Sequence, residues 1–510
     1  MGLDKPSKPS KSQGEANLTA AAKLLLLGIV SILFAGNLSG QAQKVSGPAT
    51  SHFSNEMWLK DFHQLVAEMS SHYADLEWAV SYRHMNLPKL RQDTEESIRQ
   101  SKDEQSAKRA IEGFLSAFGD GHLSVSWQSN QSSSETALEP LCSRLGFRDR
   151  TRIGIDFSTL VGFVDVPSDA AALFPGGIVS LPRGKVGTIR IGDFDEGGFP
   201  LACEAILKQL NLRTDSPCDR LCGEAIRVDA ANYLTRAIVS RARQLSSLGA
   251  SAIVVDVTRN DGGDDWNEAV ARSLSRTPLT DERRAFINHP MWTNKLTRDL
   301  SVVEADLERH EEPTEILEQA AERLKHDITL SRQTCDLSSA FVDGSIRCSL
   351  VADGGLFWSG VYPYAKPGSF HKLQSRNLLF NPLQYDYEEN AQNLPLYIAV
   401  DGHTWSSAER FAALLQDNTA AVVIGELTGG AGCGSVDGGI PTTLTHSQAR
   451  VEMPNCVGFR KDGSNANDGI TPDVLVPWAA RDTPFLRASK FRAALIEAMY
   501  RKPSKHVRAQ

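Results

Sequence analysis

Three short segments place residue types that perform acyl chemistry where a backbone could hold them. The first is Asp401-Gly402-His403-Thr404-Trp405-Ser406-Ser407-Ala408-Glu409. It sits between the apolar run LPLYIAV (394–400) and an amphipathic run. Ser406 therefore falls at a predicted helix N-terminus, where backbone donors and the helix dipole favour developing negative charge. The Ser406/Glu409 spacing is also a capping box, and capping alone would account for the pair. The second segment, Val257-Thr258-Arg259-Asn260-Asp261-Gly262-Gly263, sets a glycine pair between a buried strand and a helix start. Such a turn can aim N–H groups outward as oxyanion donors, although a plain tight turn explains it equally well. The third is Gly119-Asp120-Gly121-His122. A base that titrates near neutrality is what a serine nucleophile requires. His403, close in sequence to Ser406, is a second candidate base.

The elements that must position these residues are legible from periodicity. KVGTIRI (185–191), SAIVVDV (251–257), LPLYIAV (394–400) and AAVVIG (420–425) read as strands, the apolar ones buried on both faces. Helical runs follow them: ANYLTRAIVSRARQL, WNEAVARSL and SSAERFAALLQ. Repeated strand–turn–helix units predict an α/β core with a mostly parallel sheet over 183–482. Residues 43–127 predict a linker and then an N-terminal helical unit carrying His122, with HLSVSW turning into a strand. Residues 128–182, with a loop over 128–135, predict a small β-rich cap or degenerate substrate-binding insertion. The charged stretch 297–328 predicts a surface helical excursion, and 483–510 a C-terminal helix and tail.

The first 42 residues read as an export signal. Lysines precede the apolar run 24–35 and small residues follow, which sets cleavage near Ala42. An uncleaved anchor is the alternative, although a run of this length falls short of the roughly 20 residues a bilayer span needs. The body is then periplasmic or secreted, and a membrane enters only through that segment. Eight cysteines in an exported chain predict disulfides. Cys335–Cys348 and Cys433–Cys456 each bracket a hairpin-like stretch. No His lies at ligand distance from a cysteine pair, so no zinc pattern is present. The chain has 510 residues and a formal net charge of −8 without a basic stripe, which excludes a nucleic-acid partner. No nucleotide, flavin or metal motif calls for a cofactor.

Taken together, the segments resemble the C-terminal-processing, or tail-specific, peptidases, and the tricorn-core branch in particular. LYIAVDGHTWSSAERFAALLQDNTAAVVIGELTGG is similar to that family's nucleophile segment, SAIVVDVTRNDGG to its glycine-rich segment, GDGHLSV to its Asp-x-His motif, and GITPDVLVP (469–477) to its closing motif. The resemblance implies a crotonase/ClpP-like α/β core and serine peptidase activity on polypeptides. It makes Ser406 the nucleophile and His122 the general base. Gly262 or Gly263, with the N–H of Ser407, would form the oxyanion hole. Two departures matter. The base lysine of the bacterial tail-specific members is replaced by Ala431, which points to the histidine-using branch. The acid that orients the histidine in that branch is replaced by Ala466, with Asp468 two residues along as the candidate substitute. Gly121 also stands where that branch carries a serine. The family's PDZ domain is not evident, and Arg144-Leu145-Gly146-Phe147 only echoes a carboxylate-binding loop.

Three readings follow. The chain is an exported serine endopeptidase, or a catalytically silent relative that binds peptides or hydrophobic ligands in the same cleft, or a small-ester hydrolase. The third lacks the Gly-x-Ser-x-Gly elbow around Ser406.

Overall fold

The computed structural model describes residues 53–127, 139–150 and 152–500. The expected export signal with its cleavage point, and the loop expected over 128–135, lie outside the described residues. Among the described residues no helix is long and apolar enough to cross a membrane.

The central element is a seven-stranded sheet. Its strands are β1 (Phe163–Asp165), β2 (Gly177–Leu181), β3 (Gly184–Arg190), β4 (Ala250–Asp256), β5 (Leu396–Val400), β6 (Ala421–Gly425) and β7 (Val474–Leu475). They lie side by side in chain order. β1 to β3 are antiparallel to one another, and β3 to β7 run parallel. Parallel neighbours require helical crossovers, and the helices Arg220–Ser247, Trp266–Leu274 and Ser407–Asp417 supply them. The α/β core expected from the sequence is therefore present. The expected separate cap is not, because β1 and β2 prolong the core sheet as its antiparallel edge.

Both faces of the sheet are covered, which is why β4 and β5 read as unbroken apolar runs. Ile253, Val255, Ile398 and Val400 pack with Trp266, Phe411 and Leu414 on one side. Val254, Tyr397, Ala399 and Ile424 pack with Phe491 and Leu495 of the helix Pro484–Tyr500 on the other. Each such fully buried aliphatic side chain contributes about 1.5–3 kcal/mol.

A second core lies under the N-terminal helices. Trp58, Phe62, Leu65, Ile111, Phe114 and Phe118 share it with Phe286, Trp292, Leu324, Val451 and Cys456. The helical segment thus has no core of its own and is completed by much later sequence. The charged stretch expected as an excursion forms the helices Pro290–Glu308 and Thr314–Ser331, whose apolar faces (Trp292, Leu296, Val303, Leu317, Leu324) are buried in this core. A three-stranded sheet of 283–287, 351–357 and 456–458 belongs to it as well. Ser124–Ser126, the strand expected after His122, pairs with Arg450–Glu452.

All eight cysteines are bonded, as Cys142–Cys203, Cys218–Cys222, Cys335–Cys348 and Cys433–Cys456. Cys433–Cys456 does bracket a hairpin, Thr442–Thr443 against Arg450–Glu452. Cys335–Cys348 does not. It clamps the 3₁₀ turn Ser338–Phe341, because Asp343–Gly344 closes a turn without flanking strands.

Removing Cys433–Cys456 with the double variant C433S/C456S frees a loop closed over 23 residues. The expected cost is about 2–4 kcal/mol of stability, read by urea unfolding.

Candidate active site

Ser406 ends the turn after β5 and directly precedes the helix Ser407–Asp417. Its backbone sits at φ 52°, ψ −123°, a conformation costly for a residue with a Cβ and one that persists only where the surroundings enforce it. Glu409 does the enforcing. Its buried carboxylate accepts the N–H of Ser406 at 3.0 Å and of Ala431 at 2.7 Å through Oε2. Through Oε1 it accepts the N–H of Gly430 at 2.9 Å and the hydroxyl of Thr428. The half of the capping box that the sequence suggested, Glu409 reaching back, is thus used to fix the turn. Burial pushes the Glu409 carboxyl above its usual range, and these donors oppose that rise.

The Ser406 hydroxyl points to His122, whose Nε2 lies 3.1 Å from Oγ. The two residues are 284 positions apart in sequence. Asp120 holds the His122 backbone: its Oδ1 accepts the His122 main-chain N–H at 2.9 Å, and its Oδ2 accepts the Tyr73 hydroxyl at 3.0 Å. Burial lowers the His122 pKa, and the charge of Asp120 opposes the shift. Asp75 lies beside Asp120, also buried, and takes a hydrogen bond from Asn465 at 2.5 Å. Burial and the neighbouring Asp120 push Asp75 up to about 8. Burial pushes the Asp120 carboxyl up as well, and the hydrogen bonds it accepts from His122 and Tyr73 oppose that rise. Of this network the sequence signalled only Asp120, through its place two residues before His122.

The glycine pair reaches the same point. A Cβ on Gly262 (φ +102°) would lie 2.7 Å from the Ser406 Cβ and 2.9 Å from the Ser407 nitrogen, so glycine is required there. The Gly262 N–H is consumed by Asn260 Oδ1 at 2.9 Å. Among the described residues Gly263 N–H and Ser407 N–H donate no hydrogen bond, the latter because Ser407 opens its helix. Ser407 Oγ bonds the Gly263 carbonyl at 2.8 Å and ties the two together. Ser406, His122, Gly263 and Ser407 all line one cavity of about 410 Å³.

Other expected residues fall elsewhere. Asp468 is not at the histidine. It is exposed, and its Oδ1 accepts from Trp78 Nε1 and Arg83 Nε at 3.3 Å each. The one-turn helix Ala466–Asp468 faces Ala466 into the cavity and Asp468 outward. His122 Nδ1 is consequently buried without a hydrogen-bond partner among the described residues. His403 is exposed, and its backbone rather than its ring is engaged, through Asp401 at 3.1 Å. Gly121 has a packing reason: a Cβ there would lie 3.0 Å from the Ala431 Cβ and 3.2 Å from the Trp405 ring. The 144–147 echo is no carboxylate loop, since its N–H groups are spent on the Pro140, Leu141, Ser143 and Cys142 carbonyls and Phe147 is buried. Asp195, Glu196 and Asp264 bring carboxylate oxygens within 4.8 Å of one another. Arg150 and Arg227 occupy Asp195 and Glu196 at 2.6 and 2.8 Å, which marks an ion-pair cluster.

The model of Peptidase family S41 matches residues 185–476. The chain belongs to that family of serine peptidases. The matched span holds Ser406 and the glycine pair and begins after His122. No curated protein sequence matches the chain. Among solved structures, mature CPAF complexed with lactacystin is 14% identical with a TM-score of 0.51, covering 87% of this chain and 98% of that one. Mature CPAF is 14% identical with a TM-score of 0.51, covering 86% and 96%. At these identities the likeness is one of fold.

The Glu409→Ala variant leaves four donors unpaired in a buried place. It is expected to cost about 3–5 kcal/mol in urea unfolding, and Glu409→Gln, which keeps acceptor oxygen, markedly less.

Proposed function

We propose that this chain is an exported serine endopeptidase in which Ser406 and His122 act as nucleophile and general base. The observation that carries the reading is the 3.1 Å contact between Ser406 Oγ and His122 Nε2, made at a strained turn beside two backbone donors. In the first step Ser406 Oγ attacks the carbonyl carbon of a peptide bond, and its proton passes to His122 Nε2. The oxyanion is received by the N–H groups of Gly263 and Ser407. As the tetrahedral intermediate collapses, the imidazolium gives that proton to the leaving nitrogen and the acyl-enzyme forms. Water then attacks with His122 as base again, releasing a carboxylic acid and free Ser406.

For Nε2 to accept, the neutral ring must carry its proton on Nδ1, the atom without a partner. No acid grips that proton as in a triad. The charge on Asp120 supports the imidazolium through space instead. Export is supported by the four cystines, which belong to oxidising compartments, and by the signal-like first 42 residues. The unpartnered Nδ1 is also what favours a second reading, a catalytically silent relative that binds peptides in the same cleft.

Hydrolysis of an unfolded polypeptide separates the two. The wild-type chain is expected to cleave it, S406A and H122A to lose at least about 10³-fold, and H403A to stay near wild type. A folded wild-type chain that cleaves nothing supports the silent reading.

The pH dependence follows from the depressed His122 pKa. The base works when neutral, so the rate should rise with pH, reach half its maximum below 6.5 and stay flat through neutrality. Asp120→Asn removes the charge that raises this pKa. Its half-point should move lower still, and its plateau should fall by about tenfold or more.

A further inference from the structure

The cavity that holds Ser406 and His122 is also lined by Glu282 and Arg284. Glu282 directly precedes the strand 283–287, and Arg284 is its second residue. Both are orphans. Glu282 is 7% exposed, and its Oε1 has no hydrogen-bond partner. Arg284 Nε is buried without one. Among the described residues Arg284 makes no ion pair, and its guanidinium is set over the ring of Trp292 at 5.9 Å.

The other charges of the cavity are spoken for. Arg410 bonds Glu268 and Asp281 at 2.7 Å each, and Arg460 bonds Asp417 at 2.8 Å. Asp437 pairs with Arg298, and Glu409 holds the four donors described above. Asp265 faces Arg284 electrostatically but outside ion-pair distance, and its Oδ2 accepts from Asn381 at 2.5 Å. Asp264 is pushed up to about 7 by burial and its acid neighbours. Arg284 is therefore a half-buried cation without a contacting anion among the described residues. Burial and the neighbouring Asp281 and Asp417 push the Glu282 carboxyl far up. A carboxylate on a ligand would give Arg284 the contacting anion it lacks.

We propose that Arg284, with Glu282 beside it, forms a carboxylate-recognising subsite, so that the polypeptides this cavity takes carry a carboxylate from an acidic side chain or from the chain terminus. The inference rests on reading the cavity as a polypeptide cleft.

The test uses the full mature chain as S406A, which binds without turnover, and calorimetry with four matched peptides. One carries an internal Glu and an amidated end, one Gln with a free end, one Gln with an amidated end, and one Lys with an amidated end. One or both carboxylate peptides should bind at least about tenfold tighter than the neutral peptide, with the Lys peptide weakest. Which of the two gains identifies the source of the carboxylate. In S406A/R284Q the advantage should vanish, in S406A/R284K much of it should return, and S406A/E282Q should keep it. Equal affinities, tightest binding by the Lys peptide, no binding at about 1 mM, or a preference that survives R284Q would overturn the proposal. Circular dichroism melting checks that each variant folds. If R284Q does not, loss of the carboxylate advantage in high salt decides instead. Because S406A has no nucleophile, this outcome is independent of whether Ser406 is catalytic in the wild-type chain.

Discussion

A single buried carboxylate, Glu409, is the constraint on which the site depends. Its two oxygens hold the turn that carries Ser406 and the loop that carries Thr428, Gly430 and Ala431. Without it the backbone of Ser406 would have no reason to remain at positive φ, and the hydroxyl would not face His122. The strain is local, and its compensation is four hydrogen bonds in a place water does not reach.

The site lies where two hydrophobic cores meet. Ser406 and the glycine pair come from the strand ends of the main sheet, as ligand sites in such sheets usually do. His122 comes from the N-terminal helices, whose core is finished by residues 283–457. Cys433–Cys456 fastens the loop that borders the cavity to the strand pairing with Phe286. The alignment of nucleophile and base therefore reports on the packing of both cores.

Much of this was legible in the sequence, and the failures have physical causes. The strands β3 to β6 were readable because burial on both faces leaves unbroken apolar runs. The β1 and β2 edge was not, since β1 is three residues long with two exposed and β2 lies between Pro-Gly and Pro, so neither shows which sheet it joins. The apolar faces of Pro290–Glu308 and Thr314–Ser331 were masked by their many charges. At the site, the types and order of Ser406, His122 and the glycine pair were readable, but not which glycine keeps a free N–H. That depends on the Asn260 side chain, and no spacing rule encodes it. Asp468 misled because two residues along a one-turn helix reverse the direction of a side chain. The acid that does stand near His122, Asp120, was in plain view as part of the motif. The buried Asp75 beside it is remote in sequence and became visible only in three dimensions.

The central claim is that Ser406 is an activated nucleophile, and covalent labelling tests it most directly. The mature chain would be treated with a fluorophosphonate and read by intact mass and peptide mapping. The account predicts one adduct, on Ser406, formed far more slowly when His122 is alanine. A folded protein that takes no adduct, or takes one elsewhere, would contradict it.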